Sequence, residues 1–306
     1  MGERERIAVF GLGSMGRGMA DSLLRAGHAV SGIDVVPERM RRFREAGGAE
    51  GDPAAIAGTL DALVVVVLNA AQTESVLFGE EGIVPSLRRD AVVVSCATVP
   101  PAFARDMAAR CAEHGVHYLD APISGGAVKA AAGELSIMAA GTAEAFAAAR
   151  FVLEATAATV FELGEEAGAG SAMKAVNQML AGVHIAAMAE AITFGMTQGV
   201  EPARFVEVIS RCAGTSWMLE NRAPHVVDGD YTPRSSVNIW PKDLGIVLDI
   251  AREAGFGAPL TAAALQQFLA AAGSGLGGED DAAVAKVYAR NAGLVLPGTD
   301  RGRGSG

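Results

Sequence analysis

The feature that most constrains this chain is an apolar run, Ile7–Phe10, that passes directly into Gly11-Leu12-Gly13-Ser14-Met15-Gly16 and then into a helical pattern ending at Arg25. Glycine at the first, third and sixth places of such a loop does what no other residue can. The first permits a tight turn out of the strand, the second lets the backbone approach a pyrophosphate, and the third lets the helix pack on the strand. The start of the helix adds unpaired N–H groups and a partial positive charge, which suit the same anion. An ordinary glycine turn would share this spacing, but Asp34 ends the next β-rich run at the expected ~20-residue offset. A carboxylate there accepts hydrogen bonds from both ribose hydroxyls and repels a 2′-phosphate. The following Val35 and Val36 offer such a phosphate no partner, so NAD is expected in preference to NADP. Arg39, Arg41 and Arg42 are taken as a solvated helix face.

The pattern continues as strand–helix alternation. Ile7–Phe10, Ala29–Ile33, Leu63–Leu68, Val92–Ser95 and His117–Asp120 have strand character, with helical stretches at Gly16–Arg25, Pro37–Glu45 and Pro101–His114. This alternation argues an α/β Rossmann domain, a doubly wound parallel sheet, and Leu135–Ala139 and Thr159–Leu163 are expected to close it. After Gly168 the β signal stops. Residues 168 to about 198 form one helical pattern, ~45 Å long at 1.5 Å per residue, with apolar residues on nearly every face. Such a helix belongs buried between domains or subunits. The pattern stays helical from Pro202 to Tyr288, and PGTDRGRGSG has no apolar periodicity. The expected layout is a dinucleotide domain over residues 1–166, an all-α C-terminal domain over 167–296 joined by the long interdomain helix, and a disordered tail over 297–306.

With 306 residues, two domains are expected. A net charge of −10 argues against nucleic-acid and membrane-surface partners. Cys96, Cys111 and Cys212 are far apart and without a CxxC pair, so they are expected to be buried small hydrophobes in a reducing cytoplasm, with no disulfide framework and no metal. Met1–Arg6 is charged and leaves no signal-peptide core. Met179–Met196 is interrupted by His184 and Glu190, and no spanning helix is expected from it.

Two further runs carry chemistry. Asp120–Gly126, DAPISGG, follows a strand end, where open α/β sheets place their ligand crevice. Ser124 can donate a hydroxyl hydrogen bond, and Gly125 and Gly126 can present unhindered N–H groups, a geometry suited to a carboxylate. A plain turn would look the same in isolation. Lys174, six residues past Gly168, is a cation on a helix otherwise apolar for several turns. Such lysines commonly snorkel outward, but Asn177 and Gln178 lie at i+3 and i+4 on the same face. A lysine with an amide beside it can hold a substrate oxygen and shuttle its proton. Trp217 and Met218 are equally consistent with a pocket wall and with core packing.

GLGSMG, DAPISGG, GAGSAMK and PKDLG, in this order and spacing, resemble the β-hydroxyacid dehydrogenase family over about residues 6–290. The resemblance implies an NAD-dependent oxidoreductase acting on a small hydroxy acid, with Lys174 as acid/base and Ser124, Gly125, Gly126, Asn177 and Gln178 around the substrate. It also implies that Leu68, Asn69 and Lys242 approach the cofactor and that the helical domain forms a homodimer or homotetramer. The stretch from Ser216 to Gly245 and the run AGVHIAAMAEAI are most similar to the L-threonate-oxidising branch. Interconversion of a three-carbon semialdehyde and its hydroxy acid, as with 3-hydroxyisobutyrate or tartronate semialdehyde, is the alternative. A catalytically silent NAD-binding interaction protein is an alternative of another class. The chain departs from the family pattern at Cys96-Ala97, where a Ser-Thr pair is common, which leaves Thr98 for that loop contact. It departs again at Asn177, where threonate enzymes carry His, and at Pro241, which biases Trp240 toward an extended conformation.

Overall fold

The structure is a computed structural model and describes residues 4–299. The chain divides into two compact units, Met1–Lys174 and Ala175–Gly306.

In the first unit the strands β1 (Arg6–Phe10), β2 (Ala29–Ile33), β3 (Ala49–Glu50), β4 (Ala62–Val65), β5 (Val92–Ser95) and β6 (His117–Asp120) form one sheet. Its order is β3-β2-β1-β4-β5-β6, and every pair is parallel. Every residue of β4 and β5 is buried, as are Ile7–Phe10 of β1. Strands covered on both faces need apolar side chains at every position, which is why these appear as unbroken apolar runs. Ile7, Val9, Val64 and Val94 pack on one face with Met19, Leu23 and Leu119, while Ala8, Phe10, Leu63 and Val65 pack on the other with Leu77 and Met107.

The helices of this unit are α1 (Ser14–Arg25), α2 (Pro37–Glu45), α3 (Pro53–Ile56), α4 (Ala70–Phe78), α5 (Pro101–Glu113), α6 (Gly126–Ala132) and α7 (Ala143–Thr156). Three further strands, β7 (Ile123–Ser124), β8 (Leu135–Ala139) and β9 (Ala157–Glu162), form a second sheet in the order β7-β8-β9. Leu135–Ala139 is a strand as expected and the expected Thr159–Leu163 overlaps β9, both within the first unit, where they form this second sheet. Past β6 the chain continues through Pro122 into β7, so residues 120–124 run antiparallel to β8: Asp120 bridges Ala140, Ile123 pairs with Ile137 and Ser124 with Ser136. The expected strand Leu63–Leu68 ends at Val65, and β3 and β7, two residues each, are too short to leave a pattern.

Helix α1 lies against α6 with nothing between the backbones. A Cβ on Gly18 would sit 2.6 Å from the Ala131 nitrogen and 2.8 Å from the Ala130 carbonyl carbon. Ser22 Oγ donates to the Ala130 carbonyl at 3.0 Å and Arg25 Nη2 to that of Ala131 at 2.6 Å, so the C-terminal carbonyls of α6 are satisfied by α1.

The second unit is helical. Helix α8 (Ala169–Thr197) enters it, followed by α9 (Pro202–Ile209), α10 (Trp217–Asp228), α11 (Ile239–Glu253), α12 (Pro259–Ala271) and α13 (Ala285–Asn291). By length and composition α8 could cross a membrane, but Ile185, Met188 and Ile192 are fully engaged in the core of this unit with Leu219, Leu244 and Phe268. Trp240 is helical rather than extended. Pro241 falls in the first turn of α11, where no N–H is required, and Trp240 is pinned by stacking on Phe268 at 5.4 Å and by donating to Asp281 Oδ2 at 3.0 Å. Asp280 and Asp281 are both fully buried and hold α10, through His225 Nδ1 at 2.8 Å and Arg222 Nε at 2.5 Å. Cys96 and Cys111 are buried as expected, but Cys212 is exposed, in the turn that follows α9. Of the tail, residues 300–306 lie outside the described residues. Pro297–Thr299 instead form a turn, with Thr299 Oγ1 donating to the Leu296 carbonyl at 2.6 Å and Gly298 against Gly229.

The α1–α6 contact yields a prediction of sign. Helix propensity alone would make Gly18→Ala stabilising by about 1 kcal/mol. Overpacking of two backbones costs about 1–3 kcal/mol and should exceed that gain, so the urea midpoint of the variant is expected to fall. A rise would show that α6 moves away freely.

Candidate active site

All strands of the main sheet are parallel, so their carboxyl ends share one edge, and the strand order turns back between β1 and β4. That is the switch point where open α/β sheets bind ligands. Gly11, at φ +93, leaves β1 there, and a Cβ on it would meet the Val66 carbonyl oxygen at 2.2 Å. A Cβ on Gly16 would lie 1.8 Å from the Gly11 carbonyl oxygen. Gly13 differs: nothing stands within 4 Å of where its Cβ would be, and as the N-cap of α1 it brings no side chain to the helix's unpaired N–H groups. Ser14 is exposed and Met15 packs on the core. An open glycine face beside uncapped donors fits a pyrophosphate.

Asp34 closes this loop. Its Oδ2 accepts from the Leu12 N–H at 2.7 Å and its Oδ1 from the Val36 N–H at 2.8 Å. Arg39 is exposed, as expected of a solvated helix face, and its Nη1 also lies 3.3 Å from Asp34. Arg41 and Arg42 do pair with Glu38 on the solvent side of α2. At the ends of the neighbouring strands, Leu68 is exposed and its N–H donates to Gln72 Oε1 at 2.9 Å. Asn69 Oδ1 caps α4 through the Gln72 N–H at 2.9 Å. Thr98 is half-buried in the loop after β5. Cys96, two residues earlier, has its thiol pushed up to about 12 by burial and by the nearby Asp120 charge, which leaves it an inert apolar group.

Beyond β6 the chain builds a cradle from backbone. Gly125 and Gly126 have φ of +134 and +79, and a Cβ on Gly126 would meet nothing within 4 Å. Ser124 is held in register by β7, opposite Ser136. Lys174 is 8% exposed, and its Nζ donates to the Ile123 carbonyl at 2.9 Å. The structure therefore brings the lysine to the residue just before Ser124, and an outward-snorkelling lysine is ruled out.

In the helical unit, Asn177 Nδ2 donates to Gln178 Oε1 at 2.9 Å, and Gln178 Nε2 donates to Asp243 Oδ2 at 2.5 Å. Lys242 Nζ lies 2.6 Å from Asp243 Oδ1. Both ends of the Gln178 amide are thus fixed. Helix α8 is continuous, so it carries Lys174 and Gln178 one turn apart.

Three residues escaped the sequence reading. Asp243 orients Gln178 and pairs with Lys242; its position next to Lys242 in the PKDLG run was the available signal. Asp120 and Ser171 hold the start of α8, and both lie inside runs already singled out, DAPISGG and GAGSAMK. Among the described residues no group of His, Cys, Asp and Glu is placed to hold a metal ion.

Comparisons with known proteins cover nearly the whole chain. Residues 6–164 match the family described as the NAD binding domain of 6-phosphogluconate dehydrogenase, and residues 168–288 the family described as NAD-binding of NADP-dependent 3-hydroxyisobutyrate dehydrogenase. The chain is 50% identical over 293 residues to an L-threonate dehydrogenase of Cupriavidus necator, covering 95% of this chain and 98% of that protein. It is 45% identical to an L-threonate dehydrogenase of Escherichia coli, covering 97% of this chain and 98% of that one. Among solved structures, a 3-hydroxyisobutyrate dehydrogenase from Salmonella typhimurium superposes with a TM-score of 0.87 at 44% identity, over 92% of this chain and 99% of that chain. A glycine loop closed by an aspartate, a backbone cradle and a buried lysine thus occur in a chain that these families match from residue 6 to residue 288, and the chain belongs to the β-hydroxyacid dehydrogenase family.

Proposed function

We propose that this chain oxidises L-threonate, with NAD as acceptor, at the carbon next to the carboxylate, giving the 2-keto acid. The observation that carries the reaction type is Lys174, buried and hydrogen-bonded to the Ile123 carbonyl one residue before Ser124. The substrate choice is supported by the relatives named L-threonate dehydrogenase, which match over nearly the whole chain.

The Gly11–Gly16 loop and Asp34 hold the dinucleotide, and bound NAD supplies the hydride acceptor. Ser124 Oγ–H and the N–H groups of Gly125 and Gly126 take the substrate carboxylate. Lys174, as the neutral amine, accepts the proton of the 2-hydroxyl, and as the ammonium returns it in the reverse reaction. Leaving the Ile123 carbonyl for a substrate oxygen is a small movement for a four-carbon stem. Asn177 and Gln178 bind the remaining hydroxyls of a sugar acid, with Asp243 fixing the direction of the Gln178 amide. Leu68, Asn69, Thr98 and Lys242 border the cofactor.

Val176, Leu180 and Phe194 are 53%, 53% and 65% exposed at helical spacing on α8, beside Ala187 and Ala191. An apolar stripe of this kind is costly to leave in water. This supports a homodimer or homotetramer joined through the helical unit, and the assigned compartment is the cytoplasm.

Three outcomes are expected. Lys174→Ala should lower kcat by roughly 10²–10⁴-fold with NAD affinity nearly unchanged, and Lys174→Arg should not restore it, because a guanidinium does not give up its proton. Turnover on L-threonate within tenfold of the parent would end the acid/base role. Asp34 should make kcat/KM with NAD exceed that with NADP by about 10²-fold, the value of two ribose hydrogen bonds plus charge repulsion. Equal values would remove Asp34 from ribose recognition. Sedimentation at micromolar concentration should give a dimer or tetramer, and Leu180→Glu with Phe194→Glu should shift it toward monomer; a monomeric parent refutes the interface.

A further inference from the structure

Two struts join the start of α8 to the segment that leads into the cradle. In one, Lys174 Nζ reaches the Ile123 carbonyl at 2.9 Å. The other lies three residues earlier on both sides. Asp120 Oδ2 accepts from the N–H groups of Gly168 and Ser171, each at 2.8 Å, and Asp120 Oδ1 accepts from Ser171 Oγ–H at 2.7 Å. The carboxylate is 1% exposed, and burial pushes its pKa up even against these three donors.

The surrounding glycines show that this fit was built closely. Gly168 donates from φ +99, a conformation other residues adopt only with strain. A Cβ on Gly170 would lie 2.4 Å from the Met138 carbonyl oxygen and 2.6 Å from that of Asp120. The helix start therefore rests directly on the backbone of β6 and β8. A side-chain cap from the residue preceding a helix satisfies the same kind of donor and contributes about 0.5–2 kcal/mol. What it does not do is fix the helix against another element. The Asp120 carboxylate comes from 48 and 51 residues away, so it fixes both the rotation and the height of the first turn against β6.

We infer that Asp120, with Ser171 as its donor, is a positioning residue that holds the register of Lys174 over the Ser124–Gly126 cradle while the lysine leaves the Ile123 carbonyl to take the substrate proton. The inference rests on the acid/base role proposed above for Lys174. When the lysine engages substrate its own strut opens, and the Asp120–Ser171 strut keeps the helix from turning with it. Placement errors of about 1 Å at a reacting group cost up to about 10²-fold in rate, so the strut is worth more to turnover than to folding.

The test is a double-mutant cycle on the full chain. Asp120→Ala should lower kcat by about 10–100-fold with KM for the hydroxy acid and the Kd for NAD each changed less than about threefold. Asp120→Asn keeps an acceptor for both N–H groups and a donor for Ser171 Oγ, and should recover the loss to within about fivefold of the parent. In a Lys174→Ala background Asp120→Ala should add less than about twofold, because residues that act as a unit are not additive. A merely structural Asp120 would lower the unfolding midpoint, leave turnover per folded molecule intact, or carry the same cost into the Lys174→Ala background; either of the last two outcomes overturns the inference. Should Asp120→Ala fail to fold, Ser171→Ala removes one donor only and is expected to lower kcat about fivefold, with parent turnover overturning the inference. Lys174→Ala at parent turnover would refute the acid/base role and this inference with it. Lys174→Ala impaired beside unimpaired Asp120→Ala and Ser171→Ala would refute the positioning alone.

Discussion

The architecture depends on one helix being allowed closer to its neighbours than any side chain permits. Gly16 brings α1 within 1.8 Å, measured from a would-be Cβ, of the Gly11 carbonyl oxygen, and Gly18 brings it within 2.6 Å of the α6 backbone. Gly11 in turn lies against the Val66 carbonyl, just beyond β4. The Gly11–Gly16 turn, the end of β4 and helix α6 are therefore three contacts of the same element. Ser22 and Arg25 extend the link to the far end of α6. A shift of α1 moves the Gly11–Gly16 loop and the start of α6 together, which keeps their separation constant. A reaction that passes a hydride between two bound molecules needs that constancy.

Three buried carboxylates carry the rest of the organisation. Asp34, Asp120 and Asp243 have side chains or residues no more than 4% exposed. Burying an ionised carboxylate costs several kcal/mol unless its lone pairs are taken up. Here they are taken up by groups far along the chain: the Leu12 N–H at a separation of 22 residues, the α8 start at 48 and 51, and the Gln178 amide at 65. Each saturates its own charge by fastening a distant segment, whether the Gly11–Gly16 loop, the first turn of α8 or the Gln178 amide. Desolvation makes these ties stiff, because a carboxylate that loses one donor in such a place is left uncompensated.

What was legible in the sequence follows from how many explanations each residue admits. Gly11, Gly13 and Gly16 after an apolar strand have few alternatives, since only a backbone constraint demands glycine at all three, and the loop, α1 and the parallel sheet were read correctly from them. The strands buried on both faces were legible because nothing polar interrupts them. That Leu135–Ala139 stands in a separate small sheet was not legible, because its apolar character is the same whichever sheet it joins; the deciding fact is its pairing with Ile123 and Ser124, and two residues leave no periodic signature. Trp240 was misjudged because the preference of a residue before proline is weaker than a buried indole hydrogen bond and an aromatic stack.

The site divides along the same line. Lys174 stood out because a lone cation on an apolar helix needs a reason to be there, whereas Asp120 and Asp243 did not, because an aspartate at a strand end or in a helix's first turn has several ordinary ones. Their function is defined by partners 48 to 65 residues distant, and a single sequence holds no trace of which distant donor a carboxylate meets. A lone cation is therefore conspicuous in one dimension, while the long-range partners of a buried carboxylate become visible only in three. Under the role proposed for Lys174, residues of this second kind would set how much of its reactivity reaches a bound hydroxyl, since a group held about 1 Å out of place loses up to about 10²-fold in rate.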